Sequence, residues 1–218
     1  MDFTPLWLSL KTAVAATILT VFFGILCARW RLGRRGRAVH ILDAVLMLPI
    51  ALPPTVIGLG LLLIFGRSSP VGELLAQLGW AIIFTWPATV LASFVVAFPI
   101  MYQTTRGAFQ QIDPSLLDAA RLFGRSEWSL LWRIMLPLAW PGVAAGALLS
   151  FLRSLGEFGA TLMIAGNIPG TTQTAPVAIF FAVDAGERRE ALLLSVALLV
   201  ISFAALLLAN ALTRARQE

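Results

Sequence analysis

Apolar residues in this chain come in runs of about 20, divided by short polar stretches, rather than alternating along the sequence. A helix of that length crosses a hydrocarbon core of about 30 Å. The pattern predicts an all-α polytopic membrane protein. Five spans are expected over residues 6–28, 44–65, 80–102, 141–165 and 191–212, within one domain covering residues 3–213.

Two of the spans are interrupted. "LPIALPPTVIGLGLLL" places Pro49, Pro53 and Pro54 early in the second span, with Gly58 and Gly60 just after, and the third span holds Pro87 and Pro99. Proline removes a helix donor and frees a carbonyl, which lipid cannot satisfy. Three prolines within six positions therefore predict a discontinuous segment lining a pathway, with Pro53, Pro54, Thr55 and Gly58 at its bend. The fourth span contains "FLRSLGEFGATLMIAG". Its Arg153 and Glu157 are four apart, on one helical face, and able to neutralise each other. Charges at this depth face a bundle interior or a cavity. The pair, with Gly159 and Thr161, is a candidate for the pathway or gate, and equally for an ion pair that ties helices together. Beyond it, "TAPVAIFFAV" reads as a short helix with Thr174 as N-cap and Pro176 in its first turn. It is too short to span and suits either a lid or an interfacial anchor.

The longest departure from apolar habit is the segment 106–137, and within it "LLDAARLFGRSEWSLLWRIMLP", Leu116 to Pro137. Asp113 is a good N-cap and Pro114 suits the first helical position. A short helix should follow and end at Gly124, a natural residue for the left-handed position after a helix. A second helix starts near Ser126, with Trp128, Leu131, Trp132 and Met135 as its apolar stripe. The segment is thus a helix–Gly–helix unit. Asp118 and Arg121 share a face beside the small Ala119 and Ala120, which suits docking into a partner's cleft.

Composition narrows the function. The chain is 59% apolar and 12% charged, a balance that cannot cover a soluble globule. The formal net charge is +5, almost all from arginine. Arg29, Arg31, Arg34, Arg35 and Arg37, then Arg106, Arg121, Arg125 and Arg133, then Arg214 and Arg216 fall on one side of the five spans, against Arg67, Arg188 and Arg189 on the other. Cytoplasmic loops collect such charges, so the amino terminus is expected outside and the carboxyl terminus inside. The basic balance then calls for no nucleic acid. The amino terminus lacks the basic region of a cleavable signal peptide, and the first run reads as a retained helix. Cys27 stands alone in an apolar run, where a packing role is expected. With Lys11 the only lysine, no Walker A sequence can occur, and with His40 the only histidine there is no His-based zinc cluster or Ser-His dyad. The reading has no catalytic residue and no metal site. ATP-driven work would need a separate polypeptide.

The knuckle resembles a known signature. "DAARLFGRSEWSLLWRIMLP" is similar to the cytoplasmic EAA motif of type I ABC importer permeases. Asp118, Ala119, Ala120, Gly124, Ile134, Leu136 and Pro137 match in order, with Asp118 where the motif has glutamate. "LPIALPPTVIGLGLL" and "SLGEFGATLMIAGNIPGTTQTAPVAIF" look like the sulfate/molybdate branch of these permeases, and the likeness spans essentially the whole chain. The resemblance implies a MetI-like transmembrane domain with a cytoplasmic coupling helix, in a prokaryotic inner membrane. It further implies a second copy of the chain, two ATPase subunits that bind ATP and Mg, and a periplasmic oxyanion-binding protein. This chain would bind no cofactor and touch membrane lipid. Its cargo would be molybdate, with tungstate or sulfate as alternatives, moved by alternating access past weakly polar groups such as Thr55, Thr161, Thr171, Thr172 and Thr174. A proton-coupled carrier built on Arg153 and Glu157 is the alternative from another class.

Overall fold

The computed structural model describes residues 2–34 and 36–214, with side chains placed to residue 207. Arg35 and Arg216, counted above, lie outside the described residues. The regular elements among the described residues are all helical: α1 (Thr4–Arg31), α2 (Arg37–Ala51), α3 (Pro54–Phe65), α4 (Pro70–Gln77), α5 (Trp86–Gln110), α6 (Pro114–Leu122), α7 (Glu127–Leu130), a π turn (Leu131–Met135), α8 (Leu136–Leu155), α9 (Gly159–Ala165), α10 (Ala175–Asp184) and α11 (Arg188–Arg214). Thr4–Arg31, Trp86–Gln110, Glu127–Leu155 and Arg188–Leu207 are each long and apolar enough to cross a membrane. The pair α2 and α3 forms a fifth apolar unit, bent by 117°.

The bend has a local cause. A residue preceding proline is pushed out of the α region. Leu52 precedes Pro53, and Pro53 precedes Pro54; both adopt extended backbone, at ψ 145° and 138°. The helix restarts at Pro54, where a missing N–H costs nothing. The expected span 44–65 is therefore two helices, the first starting earlier, at Arg37.

Two other span boundaries need correction. The apolar stretch from Trp80 to Thr85 is not helical. Phe84 sits at φ 58° and donates its N–H to the Ile164 carbonyl at 3.1 Å. The third span starts at Trp86, where Pro87 enters the first turn, and runs on to Gln110 rather than stopping at Tyr102. The expected fourth span, 141–165, is split: a helical run from Glu127 reaches Leu155, and 159–165 is the separate helix α9. The polar stretch 66–79, unassigned from sequence, holds the short α4, capped by the Ser69 hydroxyl accepting from Gly72 N at 2.9 Å.

α5 is the spine. Near the arginine-rich end, Phe98, Met101, Tyr102 and Phe109 of α5 pack with Ile25 and Ala28 of α1, Leu131 and Met135, and Ala139 and Val143 of α8. Toward the other end, Ala88, Ala92 and Val96 of α5 pack with Ile57 and Leu61 of α3 and with Ala160, Ile164 and Ala165 of α9. Without water to expel, membrane helices associate by close van der Waals contact between small residues. Gly142 and Gly146 of α8 do this against Ala108 and Thr104 of α5, where any Cβ would collide. α10 and α11 pack beside the start of α1 through Leu6, Ala175, Ala178 and Leu194. The N–H of Ala175 is received by the Ser9 hydroxyl at 2.7 Å, whereas the Thr174 side chain makes no cap bond. Thr174 marks the start of α10 as expected, but a residue 166 positions away supplies the cap.

Candidate functional site

Two assemblies hold the residues singled out from sequence. The first is the knuckle α6–α7, joined to α5 by Gln111, Ile112 and Asp113 alone. Asp113 caps α6, its carboxylate accepting from Ser115 N at 2.9 Å. That bond holds the Asp113 carboxyl below the usual carboxylate range. At the far end Gly124 sits at φ 75°, and the chain closes a Schellman motif. Arg125 N reaches the Ala120 carbonyl at 3.2 Å and Gly124 N the Arg121 carbonyl at 2.9 Å. Ser126 then caps α7 by accepting from Ser129 N at 3.3 Å.

A chain of charges stiffens this turn. Arg121 pairs with Asp118 at 2.7 Å and with Glu127 at 2.8 Å, and Glu127 also pairs with Arg29 at the end of α1. Exposed pairs contribute only about 0–1 kcal/mol each, so their service is to fix geometry. Asp118 is thus committed within the knuckle, to Arg121. Leu122 and Phe123 are 89% and 86% exposed, the most exposed large apolar side chains among the described residues. Ala119 is exposed and Ala120 half-buried beside them. Two such side chains therefore stand in the open on a charged knuckle, an arrangement able to dock a partner.

After α7 the expected apolar stripe does not hold. A π turn spans Leu131–Met135, and Leu136 N bonds to the Leu131 carbonyl, five residues back. Pro137 cannot return a bond to Arg133, and the wider turn accommodates its ring. The extra residue rotates the faces apart: Leu130, Leu131 and Met135 are buried, while Trp128 and Trp132 point outward and meet edge to face at 5.7 Å. Ile134 and Leu136 are half-buried and Pro137 exposed. Trp132, Leu136 and Pro137 border an apolar groove against Ile18, Phe22 and Leu26 of α1.

The second assembly is the crossing of α3 and α9. Gly58 lies directly on α9: a Cβ there would stand 2.8 Å from Ala160 Cα and 2.6 Å from Met163 Cβ. Gly159 lies against Pro54 and Thr55 in the same way, at 3.2 Å and 3.4 Å. The starts of both short helices are therefore side by side. Glu157, 2% exposed, sits in the break between α8 and α9 rather than on a shared helical face with Arg153. One carboxylate oxygen caps α9 by accepting from Ala160 N at 2.8 Å. The other lies 2.8 Å from Arg153 Nη1, paired by charge but without hydrogen-bond alignment. The Arg153 side chain is one-third exposed, and the buried hydroxyls of Ser154 and Thr161 have no partner among the described residues. Pro53 and Thr55 are exposed at the bend.

Pro53, Pro54, Thr55, Gly58, Arg153, Glu157, Gly159 and Thr161 are thus brought together at one place. The remaining threonines are not: Thr172 is buried, receiving the Ile168 N–H at 3.1 Å, and Thr171 is exposed on that turn. Such a crossing can present a helix start and one partly neutralised cation to an anion without enclosing it.

One cluster escaped the sequence reading. Asp43 of α2 accepts from Tyr102 Oη, from Arg31 Nε at 2.6 Å and from Arg106 Nη1 at 3.2 Å. Its sequence signal was present: it is the sole carboxylate between Asp2 and Glu73, in an otherwise apolar helix.

The described residues thus form a bundle of apolar helices with a broken span, a second broken helix crossing it and an exposed Asp-Ala-Ala knuckle. The chain belongs to the family of binding-protein-dependent transport system inner membrane components, which matches residues 20–217. It is 45% identical over 202 residues to the putative molybdenum transport system permease protein YvgM of Bacillus subtilis, covering 92% of this chain and 89% of that one. It is 42% identical over 219 residues to the molybdenum transport system permease protein ModB of Escherichia coli K12, covering 97% and 93%. Among solved structures it is similar in fold to a chain of a bacterial alginate ABC transporter in complex with an alginate pentasaccharide-bound periplasmic protein. There the TM-score is 0.77 at 16% identity, over 99% of this chain and 79% of that one.

Proposed function

We propose that this permease carries molybdate inward across the cytoplasmic membrane as the translocation subunit of an ATP-driven importer. Two copies of the chain form the pathway, two separate ATPase subunits bind ATP and Mg, and a periplasmic protein delivers the oxyanion. The amino terminus lies outside and the arginine-rich end inside. The observation that carries this reading is the knuckle: an ordered, capped α6 at the end of the spine helix, presenting Leu122 and Phe123 beside Ala119 and Ala120. Its likeness to the molybdenum permeases over nearly the whole chain supports the cargo.

In this mechanism α6 sits in a cleft of the ATPase and moves as a rigid body when the ATPases close. Because only three residues separate α6 from α5, the displacement enters the spine directly. The α3–α9 crossing, dimerised across the pathway, opens to one side and then the other. Arg153 attracts the dianion while Glu157 limits the attraction, so that the cargo passes without being held. The test is to copurify the complete complex and measure its ATPase with binding protein loaded with molybdate, tungstate or sulfate. Strongest stimulation by the molybdate-loaded form is expected. Equal or greater stimulation by sulfate would reassign the cargo, and stimulation by none would refute the importer reading.

A further inference from the structure

Asp43 holds α2 where packing does not. No residue of α2 is fully buried, and only Leu46 and Met47 lean on the core of α1, α5 and α8. The polar attachment is correspondingly dense. One carboxylate receives a guanidinium from α1 (Arg31), and a guanidinium and a phenol from α5 (Arg106 and Tyr102). The Asp43 and Arg31 side chains are 16% and 15% exposed, so the pair is shielded far more than the knuckle's surface pairs. Beyond the bend at Leu52–Pro53, α3 is locked on α9 through Gly58. The broken span is thus divided between the two ends of α5: α2 is tied by charge to its arginine-rich end and to α1, whereas α3 is packed on α9 and on the opposite end of α5. Arg106 also lies one turn before the end of α5, which leads straight into α6.

We propose that Asp43 is a positioning residue for coupling. Through Arg106 and Tyr102 it makes α2 follow the knuckle end of α5 when α6 is displaced, while α3 stays with α9 and the opposite end of α5, so that the motion is concentrated at the Leu52–Pro53 bend. The proposal rests on reading α6 as the ATPase contact. Removing the charge leaves Arg31 and Arg106 facing one another with only a neutral acceptor between them, and α2 free to lag behind the spine.

The test uses the complete transporter in liposomes, with ATP hydrolysis and oxyanion uptake measured together for wild type, Asp43→Asn and Asp43→Glu. Asp43→Asn is expected to copurify with the ATPase and hydrolyse ATP at a near wild-type rate, while uptake per ATP falls about tenfold. Asp43→Glu should recover most of the loss. In parallel, spin labels at Val45→Cys on α2 and Ser115→Cys on α6, in a Cys27→Ala background, report their separation with and without nucleotide. It should stay constant in wild type and change on nucleotide binding in Asp43→Asn. This second readout needs no cargo, so it remains informative if no oxyanion stimulates the wild-type complex. Wild-type uptake per ATP in Asp43→Asn, or a separation that responds to nucleotide identically in both proteins, would overturn the proposal. Should Asp43→Asn fail to assemble, Arg106→Gln is expected to show the same uncoupling, and full coupling in that variant would overturn it equally.

Discussion

The α6–α7 knuckle and the α3–α9 crossing solve opposite problems. The knuckle is exposed, held by caps and by charge pairs that, Glu127 with Arg29 apart, join residues near in sequence, and no residue of its helix α6 is fully buried. The crossing is held by backbone approach between residues about 100 positions apart, at Gly58 on Ala160 and Gly159 on Pro54, and its one carboxylate is almost fully buried. The first takes most of its shape from its own residues, as docking in the proposed mechanism would require. The second has its shape only because its neighbours are there, as opening and closing in the proposed mechanism would require. Substitutions should therefore separate the two, through loss of partner at the knuckle and loss of passage at the crossing.

The largest effect is expected from Gly58→Leu. Its side chain would enter the Ala160 backbone, which cannot yield as a flexible side-chain end can, and overpacking costs about 1–3 kcal/mol. Uptake should fall below a tenth of wild type and the melting temperature in detergent should drop, with ATPase copurification retained. Loss of copurification at normal thermal stability would blur the separation.

Gly124→Pro should produce the complementary defect. Its φ of 75° is closed to proline, so the Schellman turn is lost and the knuckle splays. Ala120→Trp tests the same surface without touching the turn. Both should abolish ATPase copurification while membrane insertion and thermal stability remain near wild type. Normal copurification and uptake in both variants would remove the coupling role.

A smaller, selective loss is expected from Glu157→Gln. The amide oxygen still caps α9, but Arg153 loses its counter-charge, and an unpaired cation at membrane depth costs about 2.5–3.5 kcal/mol on insertion scales. Uptake should fall several-fold with assembly intact, and oxyanion should leave the pathway more slowly in single-turnover efflux. Wild-type uptake would reduce the pair to a structural tie.

Asp113 should give the least. Its carboxyl lies below the ordinary carboxylate range because the folded helix donates to it, so its contribution is complete above that ordinary range and is lost as pH falls through the lowered value. The protection of the Ser115 amide, its exchange rate relative to the intrinsic rate at the same pH, should fall over that acidic window in wild type. In Asp113→Asn, which keeps the cap but cannot titrate, that acid-dependent change should be absent. The same pH response in both would remove Asp113 from the cap.

The knuckle was legible in sequence because its determinants are local: Asp113 before Pro114, Gly124 after the last turn, Ser126 before Glu127. What escaped there was the π turn, since Pro137 displaces a bond and the relief is taken up upstream, turning Trp128 and Trp132 away from Leu131 and Met135. At the crossing the sequence named the residues but not their geometry. Arg153 and Glu157 read as one helical face because four-residue spacing implies it, yet the helix ends at Leu155 and the pair forms across a break. Asp43 was passed over because a single carboxylate at a span boundary looks solvated until its three donors on α1 and α5 are in place.

By itself the sequence determined the membrane class, the five apolar units, the break at Pro53–Pro54 and the capped knuckle with its family resemblance. Each rests on chain-local physics: run length against bilayer thickness, the conformation forced before proline, a side chain capping its own helix. Only the tertiary structure decided that α3 and α9 cross at their glycines, that Ser9 caps α10 and that Asp43 ties α2 to the spine. Such contacts depend on which small residues and which polar groups meet across helices. Spacing within one segment carries no record of that.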